Sequence, residues 1–348
     1  MTIGILTFHL GPNHGGYLQA WSLWKFLVSE GHDVEIINYK NSTLHEEEKF
    51  RPWIYRRPFK LYHAWVKEKV FRKAYSELAV SGFTTEKDQV EWEKYDAVVV
   101  GSDVVWDFCW PRLGRDPIYF GHFGGGFNGR LISYAPSVGT MKPDDEIPEW
   151  VKSGLPLFDA ISVRDEATLK LVRSVLGKEV PQVIDPTWLD FEYEELERDE
   201  EDILVVYAYE ISADLKDEIR AYAKENGLTI VAVGYYHAWA DRNDMALGPL
   251  EWPRLVGKAK AMIAGTFHGT LYAIKMRCQF VTPFHPQIHN RVSTALKIAG
   301  LESRLLQEPK LLREKFSTPV DFRNAINVLR PHIEGSKEFL RSSLNTEK

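Results

Sequence analysis

The stretch Asp96-Ala97-Val98-Val99-Val100-Gly101-Ser102-Asp103 decides the fold class. Its four apolar residues run without polar alternation, so both faces of the strand they form are covered, and such strands belong to parallel sheets flanked by helices. Similar short runs recur at about 2–8, 33–38, 130–135, 158–163 and 181–185, then at 202–209, 228–233, 260–264 and 279–282. Most are followed by residues with a helical period, the pattern of βα units. In the first such helix Leu18, Trp21, Trp24 or Lys25, and Val28 mark a core face, and Gly31 stops it. A second helix spans about 165–176, with Leu169, Val172 and Leu176 on one side and Asp165 placed as its N-cap.

The chain has 348 residues, enough for two domains. Lys and Arg number 43 against 49 Asp and Glu, a net charge of −6, which argues against bulk nucleic-acid binding. That modest total hides two local fields. Residues 49–73 hold nine basic side chains against Glu68 alone, interleaved with Phe50, Trp53, Tyr55, Phe59, Tyr62, Trp65 and Phe71. The segment reads either as a peripheral contact with an anionic membrane surface or as a connector helix whose aromatics pack on the N-terminal domain. Residues 190–202 hold nine acids against Arg198 alone, and repulsion among them predicts a solvated linker. The expected organisation is an N-terminal Rossmann-like domain over 1–189, an acidic linker over 190–202, and a C-terminal Rossmann-like domain with terminal helices over 203–348.

Two distant cysteines, Cys109 and Cys278, offer neither a disulfide framework nor metal-ligand spacing. No secretory leader pattern opens the chain and no apolar run is long enough to span a bilayer, so the expected location is cytoplasmic.

Ligands of open α/β sheets bind beyond the carboxyl ends of the strands, so the residues there carry the functional reading. They are Gly11-Pro12-Asn13-His14-Gly15-Gly16 after the first strand, Gly101-Ser102-Asp103 after the third, and Arg164 after the fifth. Thr266-Phe267-His268-Gly269 follows the ninth run and Asn290-Arg291 the tenth. Glycines let backbone approach a ligand, helix starts offer free N–H groups, arginines grip carboxylate or phosphate in a fork, and a histidine moves protons near neutral pH. Taken singly, each has an ordinary alternative: a tight turn, a surface ion pair, a structural histidine. The sequence Gly124-Gly125-Gly126-Phe127-Asn128-Gly129 fits a dinucleotide fingerprint only in its letters, because a strand follows it where a helix is needed. No Walker A, HExxH or GxSxG sequence occurs. Some of the 11 tryptophans could serve as sugar-stacking platforms, while most belong to cores.

Seven motifs resemble, in order, those of the polysaccharide pyruvyl transferase family. They are Asn13-x-Gly15-Gly16-x-Leu18-Gln19-Ala20, Gly101-Ser102-Asp103-x-x-Trp106, Ser133-Tyr134-Ala135-x-Ser137-x-Gly139, Ile161-Ser162-Val163-Arg164-Asp165, Asp185-Pro186-Thr187, Phe267-His268-Gly269-Thr270 and Asn290-Arg291. The resemblance implies two Rossmann-like domains in a GT-B-like arrangement, facing across a cleft, with no metal and no cofactor. It also implies transfer of the three-carbon unit of phosphoenolpyruvate, as a ketal, onto two hydroxyls of a sugar in a cell-surface polysaccharide or its lipid-linked precursor, with release of phosphate. By the same resemblance Arg164 and His268 line the donor site and are the catalytic candidates, joined by Arg291, Thr266, Gly269 and Asn290. Asn290 and Arg291 are adjacent here where the family separates them by one residue, and Gly265-Thr266 stands where Asp-Ser is usual. Asn13, Gly15, Gly16, Gln19, Asp103 and Trp106 are the acceptor-side candidates. Two rival readings remain: a GT-B glycosyltransferase with a nucleotide-sugar donor, and a noncatalytic glycan-binding protein of the same fold.

Overall fold

The computed structural model describes residues 1–9, 11–46, 58–111, 115–142, 144–191 and 199–345. Two parallel sheets are present among them. The first comprises β1 (Thr2–Leu6), β2 (Asp33–Ile36), β3 (Ala97–Val100), β4 (Arg130–Ser133) and β5 (Ala160–Ile161), in the order β2-β1-β3-β4-β5. The second comprises β6 (Glu201–Ala208), β7 (Thr229–Val233), β8 (Arg242–Asp244), β9 (Ala259–Gly265), β10 (Phe280–Pro283) and β11 (Leu305–Leu306), in the order β11-β10-β9-β6-β7-β8. Both orders reverse once, between β1 and β3 and between β6 and β9, which creates a crevice at the carboxyl edge of each sheet. All four Ala97–Val100 side chains are buried, as an unalternated apolar strand requires.

The helices that place the site are α1 (His14–Ser29), α2 (Pro58–Tyr75), α3 (Glu166–Leu176), α4 (Trp252–Lys258), α5 (Phe267–Lys275), α6 (His289–Ile298) and α7 (Phe322–Asn345). Asp165 caps α3 as expected, its carboxylate accepting from the Thr168 N–H at 3.0 Å. The expected face of α1 is partly wrong. Leu18 is buried, but Val28 is 40% exposed, and Leu23, Phe26 and Leu27 carry the core contact instead. The strand expected at 181–185 is reduced to one bridge, Gln182 to Val163, because Asp185 turns the chain into the 3-10 turn Pro186–Trp188. The strands β8 and β11 escaped the sequence reading: Arg-Asn-Asp is polar throughout and β11 is two residues long. The glycine-rich loop 124–129 leads into β4, and Gly125 and Gly126 take positive φ there.

The two sheets are joined through an aromatic seam. The imidazole of His14, at the start of α1, packs against Phe71 of α2, Tyr207 of β6 and Trp252 of α4, and its Nε2 meets the Leu247 carbonyl at 3.1 Å. Lys275 of α5 reaches Asp190 at 2.9 Å, and Ser22 of α1 donates to the same carboxylate. The last helix returns to the first sheet. Ser336 Oγ accepts from the Ile184 N–H at 3.0 Å, Arg130 Nε donates to the Ser343 carbonyl at 2.8 Å, and Arg341 pairs with Glu30.

Part of the basic segment, 49–57, lies outside the described residues. In α2 the aromatics divide: Phe71 is buried in the seam, whereas Tyr62 and Trp65 are exposed, and Lys67 Nζ donates to the Gly234 carbonyl of the second domain. Residues 192–198 of the acidic stretch also lie outside the described set. No described helix is long and apolar enough to cross a membrane.

Candidate active site

The two carboxyl edges face each other across a cleft of about 690 Å³. From β1 come Thr7, Phe8 and His9, and the turn that follows is tied by Gln19, whose Nε2 donates to Thr7 Oγ1 and to the Phe8 and Gly16 carbonyls. Gln19 is therefore fully buried and shapes the wall from behind, a correction to its expected contact with acceptor. Asn13 lines the cleft and accepts from the Gly15 N–H as the N-cap of α1, and Gly16 lines it too. Gly15 serves a tighter purpose: a Cβ there would lie 2.2 Å from His268 Nδ1, so only glycine lets the two domains close at this point.

After β3, Asp103 adopts φ 70° and lines the cleft, its Oδ1 accepting from the Val104 N–H. Trp106 does not join it. Its ring is fully buried between Phe120 and Phe158, with Nε1 donating to the Tyr119 carbonyl at 2.7 Å, so the expectation of an acceptor platform is overturned by core packing. The exposed rim aromatics are Trp110, Tyr209 and Phe284.

On the opposite wall Thr266 caps α5, its Oγ1 accepting from the Gly269 N–H at 2.9 Å, which sets Phe267 and His268 in the first turn. Gly269 faces Thr266 and Tyr207 within the fold and does not line the cleft. Asn290 is exposed on α6 away from the cleft, while Arg291 beside it points in, because neighbouring positions on a helix face different ways.

Arg164, His268 and Arg291 do converge. The Arg164 and Arg291 guanidinium carbons lie 4.5 and 5.7 Å from the Phe267 ring centre. Arg164 is only 4% exposed and stands one layer behind the open wall: Nη1 donates to Asp185 Oδ2 at 2.6 Å, Nη2 lies 3.9 Å from Asp103, and neither Nη2 nor Nε makes a hydrogen bond. Arg291 Nη2 donates to the Gln287 carbonyl, its buried Nε makes no hydrogen bond, and burial together with the charge of Arg164 lowers its pKa. His268 Nε2 lies 3.6 Å from Asp185 Oδ2. Burial by itself pushes the Asp185 carboxyl up, but His268, Arg164 and the Thr187 N–H hold it well below the usual carboxylate range.

Sequence reasoning missed two features of this site. Asp185 is one; the signal available was its place in the Asp-Pro-Thr motif. His9 is the other, three positions past the end of β1. Its Nδ1 lies 3.0 Å from the Thr7 carbonyl, and burial, with help from Lys40, lowers its pKa to about 4. Among the described residues no cluster of His, Cys, Asp and Glu could hold a metal.

Two parallel α/β domains opposed across such a cleft define the GT-B class, and solved structures bear this out. Arabidopsis thaliana UGT89C1 superposes with TM-score 0.52 at 9% identity, covering 99% of each chain. AviGT4, a glycosyltransferase involved in avilamycin A biosynthesis, gives 0.52 at 12% identity over 99% of this chain and 97% of its own. At these identities the likeness is one of fold. The family is set by the sequence itself: the profile of the polysaccharide pyruvyl transferases matches residues 13–282, and the chain belongs to that family. No curated protein sequence matches the chain.

Proposed function

We propose that the chain transfers the carboxyethylidene unit of phosphoenolpyruvate to two hydroxyls of a sugar, in a surface polysaccharide or its lipid-linked precursor, and releases phosphate. The observation that carries this reading is the convergence of Arg164, Arg291 and His268 around Phe267, with His268 and Arg291 lining the cleft and Arg164 one layer behind it, and with cationic N–H groups on both arginines making no hydrogen bond. A donor with a carboxylate and a phosphate needs two forked cations, and buried cations favour such a dianion strongly.

The chemistry closes with these parts. Protonation of the donor methylene carbon builds positive charge on the neighbouring carbon, one sugar hydroxyl adds there, the C–O bond to phosphate breaks, and the second hydroxyl completes the ketal. Of the two hydroxyl protons, one ends on the new methyl group and the other on phosphate. His268 is the group suited to carry them. The wall formed by Asn13, Gly16, Asp103 and the rim aromatics suits a sugar, whose hydroxyls need acceptors and whose apolar face stacks on rings.

The shared fold with UGT89C1, solved also in complex with UDP-L-rhamnose, keeps a nucleotide-sugar glycosyltransferase as the second reading. Thermal-shift measurements separate the two, since a ligand of the native state raises apparent stability by mass action. Stabilisation by phosphoenolpyruvate is the expected result; stabilisation by sugar nucleotides alone overturns the pyruvyl transfer reading.

A further inference from the structure

Asp185 sits between Arg164 and His268, two of the three residues on which the proposed reaction rests, and pairs with the first while facing the second. Oδ1 is spent locally, accepting from the Thr187 N–H at 3.1 Å and Thr187 Oγ1 at 2.8 Å, which holds the carboxylate in one orientation. Oδ2 faces three groups: Arg164 Nη1 at 2.6 Å, Ser102 Oγ at 3.4 Å and His268 Nε2 at 3.6 Å. The carboxylate is buried, so its interaction with the imidazole is not screened by water. His268 Nε2 is itself enclosed and makes no hydrogen bond, so the Asp185 carboxylate 3.6 Å away is the charged group it faces. The other ring nitrogen, Nδ1, lies beside Gly15 at the start of α1, on the side where Asn13 and Gly16 line the cleft.

We propose that Asp185 is the positioning residue for His268: it draws the ring proton to Nε2, leaving Nδ1 as the nitrogen that exchanges protons with the acceptor hydroxyl. This deepens the pyruvyl transfer reading and rests on it for the identity of the reaction. During a turnover the first hydroxyl proton passes through Nδ1 to the methylene carbon, which becomes the methyl group, as the sugar oxygen bonds to the neighbouring carbon. The second hydroxyl then bonds to that carbon as the C–O bond to phosphate breaks, its proton passes through Nδ1 to the departing phosphate, and Asp185 holds the transient imidazolium through Nε2–H each time. A carboxylate also repels the donor anion. That cost falls beside Arg164, whose charge Asp185 pairs at 2.6 Å.

Asp185→Asn tests this. The amide keeps the Oδ1 acceptor for Thr187 but carries no charge; its NH2 replaces the oxygen that accepts from Arg164 Nη1, which turns Arg164 away, and it can present N–H to Nε2, reversing the tautomer. Histidine side-chain ¹⁵N spectra of the unliganded protein, with His268 assigned by its loss in His268→Gln, should show Nε2 protonated in the wild type and a different tautomer in Asp185→Asn. An unchanged His268 signal overturns the proposal whatever the substrate proves to be. With phosphoenolpyruvate, kcat should fall by about 10² or more, as for other histidines whose orienting carboxylate is removed, while the donor Kd stays equal or tightens. Thr187→Val, which removes one of the two hydrogen bonds to Asp185 Oδ1 without changing charge, should give a smaller loss of kcat at unchanged Kd. Normal kcat in folded Asp185→Asn, or parallel loss of kcat and donor affinity in both variants, refutes the positioning role. Failure of phosphoenolpyruvate to stabilise the wild type would refute the reaction instead, and the ¹⁵N result would still decide the role of Asp185.

Discussion

At His268 the imidazole has a carboxylate on one edge and a glycine from the other domain on the opposite edge. Replacing it by alanine removes the proton carrier and leaves both arginines, so donor-induced stabilisation should persist while phosphate release falls by a factor on the order of 10² to 10⁴. Near-normal turnover of His268→Ala would sink the catalytic assignment. Arg164 behaves differently because it is buried and paired. Arg164→Ala strands the Asp185 charge and should cost about 3–5 kcal/mol in urea unfolding. Arg164→Lys keeps the charge but loses the fork, so it should fold and bind phosphoenolpyruvate about tenfold or more weakly; undiminished binding would remove Arg164 from the donor site. The third residue-scale prediction concerns His14, whose burial in the aromatic seam, aided by the charge of Lys67, lowers its pKa to about 3. Its folded value lies below the unfolded one, so the unfolded chain takes up the extra proton first and stability drops as pH falls from about 6.5 toward 3, by about 1.4 kcal/mol per pH unit. Urea unfolding at pH 7 and pH 5 should therefore differ by about 2 kcal/mol less in His14→Phe than in the wild type.

Among the elements, the start of α1 packs tightly against the start of α5 across the domain boundary. A methyl group at Gly15 would lie 2.2 Å from His268 Nδ1, and that ring is hemmed in by Asp185 behind it, so one of the two must shift. Gly15→Ala should cost about 1–3 kcal/mol of stability and lower turnover well beyond what that loss explains. Wild-type kinetics for this variant would show that His268 has room to move. The same two helix starts mark the limit of sequence reading. That Asn13 and Thr266 cap helices follows from residue type and position, and Asp165 likewise. That Gln19 turns back into the β1 loop, and that Trp106 is locked between two phenylalanines, depends on neighbours distant in the chain, which no local pattern reports.

For the whole molecule, the acidic stretch after Asp190 is the expected site of first proteolytic nicking, with two resistant fragments; it is shorter than the expected 190–202 linker, because β6 already begins at Glu201. Because α7 returns to the first sheet through Ser336, Ser343 and Arg341, and the His14 seam adds buried aromatic contact, the nicked fragments should co-elute in gel filtration. Separation without denaturant would show that these contacts do not hold the halves together. What the amino-acid order determines alone is what depends on local repetition: unalternated apolar runs make parallel strands, helical periods make the crossovers, and the ordered motifs place Arg164, His268 and Arg291 at strand ends or helix starts. Only the tertiary structure decided which of those residues meet. Arg164 and Asp185 precede β6 in the chain and His268 follows it, and their distances are set by closure of the two sheets on each other. Closure then surrounds the carboxylate with the partners that keep it charged against the cost of burial, and their pull is strong because water is excluded, a property of the closed cleft and not of any segment of the chain.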